Sequence, residues 1–595
     1  MADENDERKS RAVVSLISVG VVLVIGFPVW WNTTKVYRAT LPHHEILKLS
    51  ELETNINIPL TIIFEQPGER KDFMSILSKK LNSEVKENHP VDLRFIINVR
   101  EVNVEEKQSL RLLVNEVNLE ALDDSIQELW KSNAEKIEYK FIVLSQQDEL
   151  SKLARYAQCF VGKYRHAIIL HNDDPTHLSD VIANVTKKVF IQEQVIKDAF
   201  YQHKNSDDLH EGIDEIRDLK SVTGFHLSFS LINDEPETGI LNWNIKETIA
   251  EILQPFINKI SYFDVSVDSQ ILHYSGVNLK PKTDGEVNYL DTEDLPHMIN
   301  PIERKLGSFV SLNPSLNFIV FVPPKKQTPL KLKDVDGAYS PTNAFLSPRW
   351  GGVLIHNVYD RNEANDSAPR TITVDLTAIM KVFLTQIRLL VGIKPLTSQN
   401  GVLISTVVNS GARNWEVDNL LLVKTMEYLS SSAKTLTSLT QLMDKVKNMI
   451  IDDNIKVEIE NALQSIKECQ HMLSQGNITS AFMSAKAAIK SSEKAFFDPS
   501  MLELIYFPDD QKFAIYIPLF LPMSLPLIAS LFAAIKWLRN KEGDESKTAP
   551  SKTAPSEKVP SETEPSETEP SDTEPSKAAP SETAPSDTVT SDTTE

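Results

Sequence analysis

Residues 12–31 read AVVSLISVGVVLVIGFPVWW, and residues 513–535 read FAIYIPLFLPMSLPLIASLFAAI. Neither stretch contains a charge. Twenty residues rising about 1.5 Å each cover the roughly 30 Å hydrocarbon core of a bilayer. Both therefore read as transmembrane helices, 12–31 and, with its flank, 513–538, and they decide the architecture. A cleaved signal peptide is the other reading of the first. Against it, the apolar run exceeds the roughly 7–15 residues of a signal's core, no small-x-small site follows, and Trp30-Trp31 suits an interfacial aromatic belt. Lys536, Arg539 and Lys541 follow the second stretch, whereas Asp509, Asp510 and Lys512 precede it. That asymmetry predicts a cytosolic C-terminal flank. Two spans then put both ends, 1–11 and 539–595, in the cytosol and residues 32–512 in a lumen.

Pro518, Pro522 and Pro526 fall on one face of the second span. Each removes a backbone donor and crowds the preceding turn. In lipid the freed carbonyls need partners, so the spacing predicts a kinked helix packed among other membrane helices.

Between the spans, short runs rich in Val, Ile and Phe alternate with helical patterns. Ile58–Phe64, Leu93–Val99, Leu110–Val114, Tyr139–Leu144, Ala167–Leu170, Phe225–Leu231, Phe318–Val322, Val353–His356 and Ile372–Leu376 read as strands. Phe73–Leu81, Leu178–Phe200, Ile245–Ile257 and Leu376–Val391 read as helices. The alternation predicts a large luminal α/β (or α+β) region over 32–413, in one body or two lobes. From 414 to 512 the texture turns helical, with Glu416–Lys447, Ile455–Leu473 and Thr479–Phe496 forming a small helical unit that leads to the second span. Asn477 is placed to cap the third of these helices.

The 595 residues carry 62 Lys and Arg against 83 Asp and Glu, a net charge of −21, with two Cys. The acidic balance argues against a general nucleic-acid binder. Two cysteines exclude a disulfide framework and a Cys-rich metal site. Cys159 and Cys469 read as buried thiols, with pairing in an oxidising lumen as the alternative. Part of the acid is in the tail. Prolines recur every five residues from Pro550 to Pro585, each followed by Ser, among 14 acidic and 5 basic residues from Lys541 to Glu595. This composition predicts a disordered cytosolic segment over 539–595.

No G-x-S-x-G, H-E-x-x-H, Walker A or G-x-G-x-x-G motif is present. Asp334-Val335-Asp336 has the D-x-D form that a luminal glycosyltransferase uses to hold a metal–nucleotide, but its Gly and Pro neighbours indicate a turn. His171-Asn172-Asp173-Asp174, with His177, follows a strand and reads as a polar turn in which Asp174-Pro175 starts a helix. Cys159 and His166 are close in sequence, which does not make them a nucleophile and base. No catalytic, cofactor-binding or metal-ligating residue is assigned, and no cofactor is expected. Asn184, Asn365 and Asn477 head N-x-[ST] sequons suited to a luminal face.

Trp30-Trp31-Asn32-Thr33-Thr34 with Tyr37-Arg38-Ala39-Thr40-Leu41-Pro42, then Arg349-Trp350-Gly351-Gly352-Val353, and above all Tyr506 to Pro522 (YFPDDQKFAIYIPLFLP) resemble segments of the PIG-S family. That family is the S subunit of the glycosylphosphatidylinositol (GPI) transamidase of the endoplasmic reticulum. The resemblance covers about residues 10–540 and excludes the repeated tail. It implies a noncatalytic structural subunit of a complex that attaches GPI anchors to the C-termini of proproteins. Its implied partners are the other subunits, a caspase-like catalytic subunit among them, and membrane lipid, with GPI as one form. A luminal glycosyltransferase or hydrolase acting through Asp334 and Asp336 or the His171–Asp174 turn is the alternative.

Overall fold

The computed structural model describes Ala2 to Glu545 apart from residues 35–36, 66–70, 83–89, 105, 107–118, 130–136, 146–157, 172–173, 205–221, 238, 278, 307–310, 312, 359–369, 397–400, 408–410, 447–450 and 500–508. The strand expected at Leu110–Val114, the sequon at Asn365, Tyr506–Pro508 and the tail beyond residue 545 lie outside the described residues. The chain divides into two compact units, Met1–Thr33 with Tyr516–Glu595, and Thr34–Ile515.

The first unit holds the apolar helices. Ala2–Val21 continues through a π-turn, Val22–Gly26, into Phe27–Thr34. At the other end, Asp509–Glu545 is helical throughout. No single helix among the described residues is long and apolar enough to cross a membrane. Ala514–Pro522 and Ser524–Lys536, bent by 46°, satisfy length and composition together, and Val13–Val29 is a shorter apolar helix. The bend falls within the run of three prolines, where backbone hydrogen bonds are missing. Apolar side chains on both segments are exposed, Val24 at 74% and Phe532 at 69%. The C-terminal helix also runs seven residues into the stretch read as tail, where Arg539, Lys541 and Glu542 favour helix.

In the second unit the strands are β1 (Thr54–Phe64), β2 (Val91–Glu101), β3 (Tyr139–Ser145), β4 (Cys159–Val161), β5 (His166–His171), β6 (Gly224–Asn233), β7 (Gly239–Asn242), β8 (Asp264–His273), β9 (Lys282–Asp284), β10 (Val287–Leu290), β11 (Ser315–Val322), β12 (Leu330–Leu332), β13 (Ala344–Ser347), β14 (Gly351–Ile355), β15 (Arg370–Thr373) and β16 (Val402–Ile404). One sheet has the order β2-β1-β3-β5-β4-β16 and another β8-β6-β11-β14-β13. Counted from one within each lobe, both read 2-1-3-5-4. In both, the fourth strand runs antiparallel to the fifth, and the strands before it pair in parallel. The first lobe adds β16 outside β4. The same α/β unit thus occurs twice.

Alternate residues of each sheet feed one core. Leu60, Ile62, Tyr139 and Phe141 of the first lobe share it with Phe225, Phe229, Phe318 and Val320 of the second. The other face of the second sheet has its own core, in which Ile319, Phe321, Val353 and Ile355 meet Leu290, Met298, Leu330 and Leu332. These partners come from the segment 274–343, whose β9, β10 and β12 form a small third sheet.

The helices after residue 413 fall where periodicity puts them, at Asn414–Lys445, Asp453–Ser474 and Ile478–Phe496. They do not stand apart as a separate unit. Asn414–Lys445, the long helix, contributes Trp415, Leu422, Tyr428 and Leu436 to the core shared by both sheets. Tyr428 and Phe263 pack on Phe482 of the third helix, with ring centres 5.6 and 5.0 Å apart. Leu178–Phe200 is two helices, not one. Pro175–Val185 ends in a π-turn and Glu193–Lys204 starts afresh, because Val189, Phe190 and Ile191 turn into the core. Phe190 lies 5.2 Å from Tyr139 and 6.2 Å from Trp415.

Candidate functional site

The residues singled out for chemistry are dispersed. Asp334 opens an exposed turn, closed by hydrogen bonds between Asp334 and Ala338 and between Gly337 and Asp334, each 2.8 Å, with Val335 83% exposed at its tip. Asp174 caps the helix Pro175–Val185, accepting from the Thr176 N–H at 2.9 Å, as a polar turn would. Cys159 and His166 serve opposite faces of their sheet. Cys159 pairs with Ile169 on the core face, while His166 alternates to the other face and sets Nε2 2.5 Å from Oδ1 of buried Asp123. Cys159 and Cys469 are free and buried. Burial pushes the Cys159 thiol up to about 12 and the Cys469 thiol up as well, so neither supplies a thiolate. Among the described residues, no three His, Cys, Asp or Glu side chains are grouped to hold a metal ion.

Asn184 is exposed on the helix Pro175–Val185. Asn477 caps Ile478–Phe496, its side chain accepting from the Ser480 N–H at 3.1 Å. Gly476, at φ +77°, makes the turn before it.

Open parallel sheets bind ligands outside the carboxyl ends of their strands, where the strand order reverses. In the second lobe that point lies between β6 and β11, and the protein's own groups fill it. Asp234 accepts from the Ser275 hydroxyl and from the Gly276 N–H. Glu235 accepts from the Lys325 N–H at 3.0 Å, and Asn233 donates to the Gly239 carbonyl at 3.2 Å. The amide groups of Asn343 and Asn357 bond the backbone of β12 in the manner of an extra strand.

The long helix joins the two lobes through buried polar groups. Asp418 accepts from Arg165 at 2.5 and 2.7 Å and from the Tyr139 hydroxyl at 3.0 Å. Burial, then the Asp418 charge, raises the Tyr139 phenol well above its usual range. For Arg165, burial opposes the charge and Asp418 outweighs it, so its pKa rises. Glu416 pairs with Arg388 of the second lobe at 2.9 Å and with Arg413 at 2.5 Å. Trp415 Nε1 donates to the Gly162 carbonyl at 2.9 Å, and the Tyr428 hydroxyl donates to that of Val222 at 2.6 Å. Lys259 donates to the Ala412 carbonyl at 2.5 Å. Its pKa is held down to about 8, first by burial, with Glu416 opposing and Lys163, Arg388 and Arg165 adding to the depression. Composition did not reveal this seam. The signal available was four charges, Glu416, Asp418, Lys424 and Glu427, within an otherwise apolar helical pattern.

Near its far end the long helix borders a groove of about 280 Å³ lined by Leu49, Leu52, Phe200, Ala433, Thr437 and Gln441, among others. The segment that follows the first apolar helix is strapped on beside it. Tyr37 donates to Asp453 at 2.9 Å, Arg38 to the Met443 carbonyl at 2.8 Å, and the Ala39 N–H to the Ile451 carbonyl at 3.0 Å. Among the described residues no acid, thiol or imidazole lines the groove, whose wall mixes apolar side chains with hydroxyls and Lys434.

A family model described as phosphatidylinositol-glycan biosynthesis class S protein matches residues 17–541. The chain belongs to the PIG-S family. Relatives named GPI-anchor transamidase component PIGS are 36% identical in Bos taurus over 87% of this chain and 94% of that protein, and 35% identical in Homo sapiens over 87% and 93%. The GPI transamidase component PIG-S homolog of Schizosaccharomyces pombe is 25% identical over 89% of this chain and 85% of its own length. In this PIG-S family chain the Arg349–Val353 segment opens β14 by close packing. Gly351 has φ +143°, and a Cβ there would lie 1.9 Å from the Asn317 carbonyl oxygen; one on Gly352 would lie 2.0 Å from Oε1 of Gln386. Only glycines let β14 approach β11 and the helix Leu376–Val391 so closely.

Proposed function

We propose that the chain is a noncatalytic component of a GPI-anchor transamidase. In this reading the helices 12–31 and 513–538 hold it in the endoplasmic reticulum membrane, with the body luminal and both termini cytosolic. Membership of the PIG-S family over 17–541, with relatives from cattle to fission yeast named as components of that enzyme, carries the reading. The filled strand ends of the second lobe and the depressed reactivity of both thiols agree with a chain that leaves bond-making to others. Its partners are the remaining subunits, a caspase-like catalytic subunit among them, and membrane lipid, GPI included. Pro518, Pro522 and Pro526 shape a bent helix for packing among other membrane helices.

The test is deletion of the gene followed by measurement of GPI-anchored proteins at the cell surface. Surface levels should fall, and a chain carrying Asp334→Ala and Asp336→Ala should restore them. Failure of that variant alone would favour a D-x-D enzyme. Asn184→Gln tests the luminal side, since it should remove one glycan-dependent step in electrophoretic mobility. Asn365→Gln and Asn477→Gln should do likewise, since the cap at Asn477 uses Oδ1 and leaves Nδ2 for a glycan.

A further inference from the structure

Each lobe ends in a long strand at position two of its sheet, β2 in one and β8 in the other. Both have one side bonded and one side outward. In β8 the N–H groups of Asp264 and, just past its end, Tyr274 bond inward to the carbonyls of Thr223 and Asn233, at 3.3 and 3.2 Å. Alternation then turns the N–H and C=O of Val265, Val267, Ser269, Ile271 and His273 outward. In β2 the same logic applies. The Pro90 carbonyl accepts from Thr54 at 2.7 Å and the Val102 N–H donates to Phe64 at 3.0 Å, so Phe95 faces outward.

The two edges are finished differently. On β2, Asn82 at the end of the helix Lys71–Asn82 satisfies Phe95 completely. Its Oδ1 accepts from the Phe95 N–H at 3.0 Å, and its Nδ2 donates to the Phe95 carbonyl at 3.3 Å. Arg94 and Arg100 add charge along the strand, the usual way to blunt an edge. On β8, among the described residues, no group bonds the outward backbone, and six of its ten residues are exposed, the other four partly buried. Ile271 is 43% exposed, and Tyr274 just beyond it 63%. Among the described residues, one edge is capped at Phe95 and its topological twin carries no partner, which makes a template for another strand.

The charges along β8 select the occupant. Asp264 is answered by Lys486 and Lys490, at 3.2 and 3.3 Å. Asp268, in the middle of the strand and half exposed, has Nε2 of His226 at 3.3 Å on its inner side and leaves part of its carboxylate open to solvent beside the edge strand. A second copy would bring the same carboxylate, on a chain of net charge −21. A basic strand would gain from it.

We propose that the outer edge of β8 docks an extended segment of another transamidase subunit, with apolar residues beside Val267 and Ile271 and a basic residue level with Asp268. The proposal rests on the subunit reading above. It is tested by hydrogen exchange on the full-length chain, free and in the complex purified in mild detergent. Exchange across 264–273 should slow by roughly ten-fold or more on assembly, with 91–101 unchanged. Ile271→Pro removes one outward donor at an edge, where proline is tolerated, and Asp268→Lys reverses the charge. Each should cut the co-purified partner several-fold while the free variant keeps its melting temperature. Unchanged exchange at β8 on assembly, or full assembly of both variants, would overturn the proposal. A dimer of the free chain by light scattering, lost in Ile271→Pro, would overturn it in favour of a second copy as occupant. Absence of every other subunit from the wild-type purification would instead remove the subunit reading, and this proposal with it.

Discussion

The two lobes share a strand order and part company at their surfaces. In the first, the core face of the sheet is covered by Lys71–Asn82, Pro175–Val185 and Glu193–Lys204, and its long edge is capped at Phe95 by Asn82. In the second, the segment 274–343 roofs one face, side chains fill the carboxyl ends of the strands, and among the described residues the long edge stays open. Repetition of topology therefore says little about use. What distinguishes the lobes lies in loops, caps and edges, where the same framework can be closed against small ligands yet opened to a protein strand.

Several substitutions would break or sharpen this contrast. The largest effect is expected at the seam. Asp418→Ala strands Arg165 and Tyr139 of the first lobe in a buried site and should cost about 3–5 kcal/mol in urea unfolding of the detergent-solubilised chain. Its counterpart, Glu416→Ala, should loosen the second lobe instead, read as faster exchange in Leu376–Val391. If both variants loosen the same lobe, the helix does not divide its contacts as described. Next is Gly351→Ala, expected to cost about 3 kcal/mol through overlap with Asn317 and a disfavoured φ, and to be felt only in the second lobe. Asn82→Ala should cost less, about 1–2 kcal/mol, and make β2 resemble β8, visible as faster exchange across 91–101. No change there would show that the guard is ornamental.

A pH dependence separates the lobes in a different way. Lys259 loses its proton near 8 when folded and near its ordinary value, about 10.4, when unfolded. Between those limits the unfolded chain holds more protons, so stability should rise with pH across the window. The contribution is absent below about 8. Lys259→Met should flatten that rise in unfolding midpoints measured from pH 7.5 to 10.5.

Much of the fold is legible in the residues themselves. Phe225–Leu231, Phe318–Val322 and Leu376–Val391 announce buried elements by composition, and Asp174 and Asn477 announce helix starts. β8 does not, because DVSVDSQILH belongs half to solvent and lacks the apolar run by which central strands are recognised. The pairing of β16 with β4 is equally silent, since three residues carry no pattern. The segments resembling PIG-S were readable, and the family match spans them. The seam was not, because charges such as Glu416 and Asp418 read as a solvated helix face until a neighbouring lobe covers them.

The first lobe is interrupted by the second. β16, at residues 402–404, completes the sheet begun by β1 and lies beside β4 at 159–161, and the long helix follows only after residue 413. A ribosome adding about 5–20 residues per second needs on the order of 10–50 s to pass from β4 to β16. Throughout that interval the nascent first lobe lacks its last strand and the helix that roofs its core, so the apolar surface they cover stays bare. A truncation at the apparent boundary between the lobes, however natural it looks on a map of the sequence, would release a lobe with no means to finish folding.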